Sequence, residues 1–153
     1  MKALERRGFT ALHTVVAVTG FCYLYMEYFL TIDDPFAIVN HPWQPLVMAA
    51  HIVAAPVFVV FFGMILRSHT LPKLRRRERI HRRTGWISLV SFSVMALSGY
   101  LLQVAVSPVL IATWSWTHII TGTLFVAAYG VHFVLGLRIG LAQRRRLRER
   151  SAL

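Results

Sequence analysis

The residues best equipped for chemistry in this chain are its histidines, seven among 153 residues, and two of them, His118 and His132, stand fourteen residues apart in one apolar stretch. On an α-helix fourteen residues advance about 21 Å and, at about 3.6 residues per turn, return almost to the starting face. Two imidazoles then point the same way at two depths. Ionisable side chains inside a membrane span are costly enough to mark functional sites. The plainer alternative is a pair of polar residues hydrogen-bonded inside a bundle. The choice turns on whether other helices supply a partner histidine at each depth. His51 does so at the level of His118, and His13 at the level of His132.

The elements that must carry these histidines are apolar. Hydrophobic residues make up 56% of the chain and its mean hydropathy is +0.56, too apolar for a soluble domain of this size. Four runs reach the roughly 20 residues that cross a hydrocarbon core. They predict an all-α, integral membrane four-helix bundle, a single domain over residues 1–153 with helices at 9–32, 45–67, 85–107 and 113–140. The basic start followed by an apolar run has the outline of a signal peptide. That run is too long, however, and Ile32-Asp33-Asp34-Pro35 offers no small-residue cleavage pattern, so the first helix is expected to be retained.

The net charge of +11 lies at one side of this topology. Lys2, Arg6 and Arg7 precede the first span, Arg67 to Arg83 link the second and third, and Arg138 to Arg150 follow the fourth. The other two loops hold no Lys or Arg. The positive-inside rule makes both termini and the middle loop cytoplasmic. The basic runs then meet anionic lipid, which leaves nucleic acid no role. Cys22 is the only cysteine. It excludes an internal disulfide and a Cys-x-x-Cys-His attachment of c-type haem.

Several other residues could serve the histidines. Glu27 near the outer end of the first span reads either as a partly solvated boundary carboxylate or as a group with a proton or quinone role. The segment Asn40-His41-Pro42-Trp43-Gln44-Pro45 is a turn, with Trp43 as an interfacial anchor. Pro56, five residues after His51, should bend the second helix. His69 is expected in water at the cytoplasmic end, and His81, within the basic loop, ranks below His13 as an inner ligand. Ser88, Ser91, Met95, Ser98 and Leu102 form a seam for close packing in the third helix. Gln103 faces either the outer site or the boundary, and Trp114 and Trp116 are further anchors. Gly122, Gly130 and Gly136 would let a flat group or a helix approach the fourth helix.

Two histidines per site is an unusual ligand set. A bare divalent transition ion would attract a carboxylate, a thiolate or a third histidine as well. A porphyrin iron already has four equatorial ligands and needs two axial ones, so two b haems are the cofactors that four imidazoles complete. Their chemistry would be one-electron transfer.

On His13 within Ala11-Leu12-His13, on His51, on His118-Ile119-Ile120-Thr121-Gly122, on Gly130-Val131-His132 and on Met26-Glu27-Tyr28-Phe29, the chain resembles the bacterial cytochrome b561 family of four-helix di-haem membrane cytochromes. The resemblance covers nearly the whole chain. It implies a multi-pass protein of the bacterial inner membrane that passes electrons between the quinone pool and a redox partner, with or without quinol oxidation of its own. Expected partners are lipid, a quinone and an electron-transfer protein; a homodimer is one assembly open to it. Haem propionates at the inner site would find Arg7 and Arg138, with Arg6, Arg82 and Arg83 in reach. The outer loops hold no cation, so an outer haem would depend on His41, Gln44, Gln103, tryptophan or backbone donors. Two rival readings remain from the residues: a haem-relay anchor subunit of a larger redox complex, and a small transporter or metal permease that uses histidines as transient ligands. A purely structural bundle is a third.

Overall fold

The computed structural model describes residues 3–34, 36–75 and 82–150. Every regular element among them is helical: α1 (Ala3–Phe29), α2 (Gln44–Ile65), a π-helical turn (Leu66–Thr70), α3 (Leu71–Arg75), α4 (Arg82–Val104) and α5 (Pro108–Arg150). Four segments are long and apolar enough to cross a membrane, Leu4–Phe29, Gln44–Lys73, Arg83–Val104 and Pro108–Ala142. The chain is thus all-α with four candidate transmembrane helices, the build of a multi-pass membrane protein. His81, Lys2, Pro35 and Arg76 to Arg79 lie outside the described residues.

Local chemistry sets the helix ends. α1 starts at Ala3 rather than at residue 9, because Leu4, Glu5, Arg6 and Arg7 are good helix formers. It stops at Phe29, ahead of Thr31, Ile32 and Asp33, and the Asp34 carboxylate accepts the Phe36 N–H (2.9 Å) in a local turn. α2 places Pro45 in its first turn, where a missing N–H costs nothing, and runs through Pro56 without a break. Ser107 caps α5: its Oγ accepts the Leu110 N–H (3.3 Å) and Pro108 takes the first helical position. α5 then continues to Arg150, well past residue 140, through a tail rich in Arg, Leu, Gln and Glu.

The chain divides into two compact units, Met1–Lys73 and Leu74–Leu153. In the first, α1 and α2 run antiparallel, since Glu27 meets Gln44, Thr19 meets His51 and Phe9 meets Phe58. In the second, α4 and α5 do the same, with Met95 against His118, Phe92 against Phe125 and Thr84 against His132. The seam expected on the third span is the packed face of α4, where Ser91 and Ser98 are buried. The apolar core is small: Phe9, Val16 and Phe58 in one unit, Phe92, Phe125 and Ala128 in the other. Most other large apolar side chains, among them Val53, Val60, Leu97 and Ile120, point outward. An outward apolar surface of that extent is what a bilayer solvates and water does not.

Candidate functional site

His51 sits on the second turn of α2 and turns its ring against α1. Its Nδ1 lies 3.1 Å from the Val16 carbonyl oxygen and 3.1 Å from Thr19 Oγ1. A carbonyl only accepts, so Nδ1 carries the proton and donates. Thr19 Oγ1 donates its own hydrogen to the Val15 and Val16 carbonyls (2.8 and 3.2 Å) and can take the imidazole N–H as a second acceptor. With Nδ1 protonated, the neutral ring carries its lone pair on Nε2.

His118 repeats this on α5. Its Nδ1 lies 2.8 Å from the Met95 carbonyl on α4, which fixes the same tautomer. Ser98 Oγ donates to that same carbonyl (3.0 Å), as Thr19 does to Val16. The rings approach the opposing helix where that helix carries a glycine. A Cβ on Gly20 would lie 3.0 Å from His51 Cε1, and one on Gly99 would lie 2.9 Å from His118 Cε1.

His132 is held differently. Its Nδ1 is 3.2 Å from Thr84 Oγ1, a hydroxyl that can either donate or accept. One turn along α4 from Thr84, the Ser88 hydroxyl is buried and has no hydrogen-bond partner among the described residues. Its neighbours Ser91 and Ser93 each bond back to a carbonyl four residues earlier. His13 on α1 is buried, at 7% exposure, beside two aromatic rings. Phe9 stacks on it with planes 10° apart and centroids at 6.3 Å, and Phe58 lies at 6.0 Å.

α5 carries His118 and His132 on one unbroken helix, so the two-depth arrangement expected from their spacing is present in the second unit. Arg7 and Arg138 are both exposed, each six residues beyond its histidine, His13 and His132, in the direction expected to be cytoplasmic.

A second polar cluster closes the other end of the first unit. Gln44, 4% exposed, donates from Nε2 to Glu27 Oε2 (2.5 Å) and accepts the Asn40 N–H at Oε1 (2.9 Å). Asn40 Nδ2 donates to the Glu27 carbonyl (2.9 Å), and Tyr23 lies beside Gln44 and Glu27. The turn Asn40 to Pro45 therefore locks onto the end of α1. His41 serves the turn as well, accepting the Trp43 N–H at Nδ1 (3.2 Å). Trp43 and Trp116 are exposed, as interfacial anchors require, and Gln103 bonds back to the Gly99 carbonyl from an exposed position.

His69 lies in the π-helical turn at intermediate exposure rather than fully in water, beside Ser68, whose hydroxyl donates to Glu5 (3.4 Å). A Cβ at Gly122 would lie 3.5 Å from the Met95 sulfur, while one at Gly130 or Gly136 meets nothing within 4 Å. The glycines that matter to the histidines are Gly20 and Gly99. Among the described residues no three His, Cys, Asp or Glu side chains group as a metal site. Compared with protein-family models, with curated proteins and with solved structures, the chain matches none.

Proposed function

We propose that this protein is a di-haem b-type membrane cytochrome that carries electrons across a bacterial inner membrane, similar to the cytochrome b561 family. By their depths in the sequence, His51 and His118 would hold one haem and His13 and His132 the other. The observation that carries this reading is the matched hydrogen bonding of His51 and His118. A backbone carbonyl takes each Nδ1 proton and leaves the coordinating lone pair on Nε2. Histidines that bind metal are oriented by such a bond, which also raises the basicity of the ligating nitrogen. Haem held by these histidines would supply one-electron transfer.

The chain's own residues do the rest. The Val16 carbonyl fixes the tautomer and ring plane of His51, and the Met95 carbonyl those of His118. Thr84 holds His132 in the second unit, and the Phe9 and Phe58 rings flank His13 in the first. Arg7 and Arg138 lie about 9 Å along their helices from those histidines, by axial rise, and offer guanidinium groups to anionic propionates. With both termini cytoplasmic by the distribution of Arg and Lys, the Glu27 cluster faces outward. A quinol oxidised there would pass its two electrons, one at a time, to the haems and release two protons, one of which Glu27, oriented by Gln44, would take up at its carboxylate and the other of which would go to water.

The test is spectroscopic. Purified protein should show a Soret band, a sharp α-band on reduction and two haems by pyridine haemochrome. His51→Ala and His118→Ala should each remove the same haem. A colourless protein would overturn the proposal and favour the permease reading. Two haems with quinol oxidation seen only beside a co-purified stoichiometric partner would favour the anchor-subunit reading.

A further inference from the structure

The two units carry the same local device. On the first helix of each, a carbonyl at one position is followed three residues later by a hydroxyl and four residues later by a glycine: Val16, Thr19, Gly20 in α1 and Met95, Ser98, Gly99 in α4. The hydroxyl and the facing imidazole both donate to that one carbonyl in both units. On the second helix the sequence after the histidine also repeats, His51-Ile52 then Phe58-Val59 and His118-Ile119 then Phe125-Val126. Phe58 and Phe125 are each deeply buried, 3% and 1% exposed. Phe125 meets Phe92, three residues before Met95, edge-on; the position three residues before Val16 is His13, which meets Phe58.

We infer that the hairpins α1–α2 and α4–α5 are two copies of one imidazole-presenting module, in which Gly20 and Gly99 are the positioning residues. The inference rests on the haem reading for what is presented, but not for the positioning itself. A helical carbonyl already accepts the N–H four residues on, which here belongs to the glycine. Its second lone pair is reachable only by a group lying over that residue. Any side chain there would occupy the space of the ring: a Cβ on Gly99 meets His118 Nδ1 at 3.0 Å and Cε1 at 2.9 Å, and one on Gly20 meets His51 Cε1 at 3.0 Å. The contacts are with a ring clamped by its own hydrogen bond, so the ring must give way against that bond. Glycine inside a helix is otherwise a cost of roughly 1 kcal/mol against alanine, and at these two positions the imidazole contact accounts for it.

The experiment uses Gly20→Ala and Gly99→Ala in the full chain, with Gly63→Ala as control, since a Cβ at Gly63 meets nothing within 4 Å. Haem content, low-spin EPR g values and redox titration are read on purified protein. Histidine tautomers are read by ¹⁵N NMR of the ring nitrogens. Both variants should weaken retention of the haem that His118→Ala removes by about tenfold or more and shift its g values, leaving the second haem unmoved. Gly63→Ala should match the unaltered protein. Wild-type rings of His51 and His118 should be Nδ1-protonated, and each alanine should disturb its own ring alone. Coloured protein whose spectra and ring tautomers are indifferent to both alanines overturns this inference while the haem reading stands. Colourless protein overturns the haem reading, and the ring tautomers still decide the positioning.

Discussion

Thr84→Val isolates the inner site with the least disturbance. Valine keeps the shape of threonine and removes one hydroxyl, and the bond lost is Thr84 Oγ1 to His132 Nδ1 at 3.2 Å. A neutral hydrogen bond is worth about 0.5–1.5 kcal/mol net, which is about 2- to 13-fold in an equilibrium constant. Loss of an outer-shell partner on a ligating histidine costs about 10–100-fold in metal affinity. The two ranges overlap near tenfold, and that is the expected fall in retention of the inner haem. The assay is transfer of haem to excess apomyoglobin, followed at two wavelengths that separate the components and assigned with His118→Ala and His132→Ala. Thr84→Ser keeps the hydroxyl and should restore retention to within about twofold of the unaltered protein, by the same range. Equal loss from Thr84→Val and Thr84→Ser would show that packing of the methyl group matters and the hydroxyl does not. Loss confined to the component that His118→Ala removes would refute the assignment of Thr84 to the inner site.

Three further outcomes follow from named contacts. Gln44→Leu strips the charge-assisted bond to Glu27 (2.5 Å) and the acceptor of the Asn40 N–H, and should lower stability by about 1.5–3 kcal/mol in denaturant titration of detergent-solubilised protein. Glu27→Gln keeps a hydrogen-bonding side chain but removes the proton acceptor; quinol-driven haem reduction should slow about 100-fold while dithionite reduction stays unchanged. Phe125→Ala opens a cavity at a side chain 1% exposed and should destabilise by about 3–5 kcal/mol, with Phe58→Ala similar because it holds the matching position. Unequal effects of the two would argue against matched cores.

The apolar runs made the four spans legible, because the length of an apolar helix and the thickness of a bilayer are tied by a simple rise per residue. The ends were less so. α1 reaches back to Ala3 and α5 on to Arg150 because charged but helix-favouring residues extend a helix beyond its apolar part. The histidines stood out through their rarity in apolar surroundings. What held them did not, since Val16 and Met95 act through backbone oxygens that every residue possesses. The glycines opposite the rings had a signal after all: Thr19-Gly20-Phe21 and Ser98-Gly99-Tyr100 recur at matching places. The phrase Asn40 to Pro45 made sense only once Gln44 was seen folded onto Glu27.

The two levels of histidine ought to differ in potential, and the difference has a direction. At the outer level both rings donate to carbonyls, at 3.1 and 2.8 Å, strong acceptors that raise the basicity of Nε2 and so favour ferric iron. At the inner level the Thr84 hydroxyl meets His132 Nδ1 at 3.2 Å, and Phe9 and Phe58 flank His13. Arg7 and Arg138 at that end add positive charge, which favours the more electron-rich ferrous state. Under the two-haem proposal that charge sets the order, and the outer haem should have the lower potential. Redox titration resolves this when one component disappears in His118→Ala: the component lost should be the lower one, and electrons then run downhill from the Glu27 end toward the arginines. Loss of the higher component would refute that order.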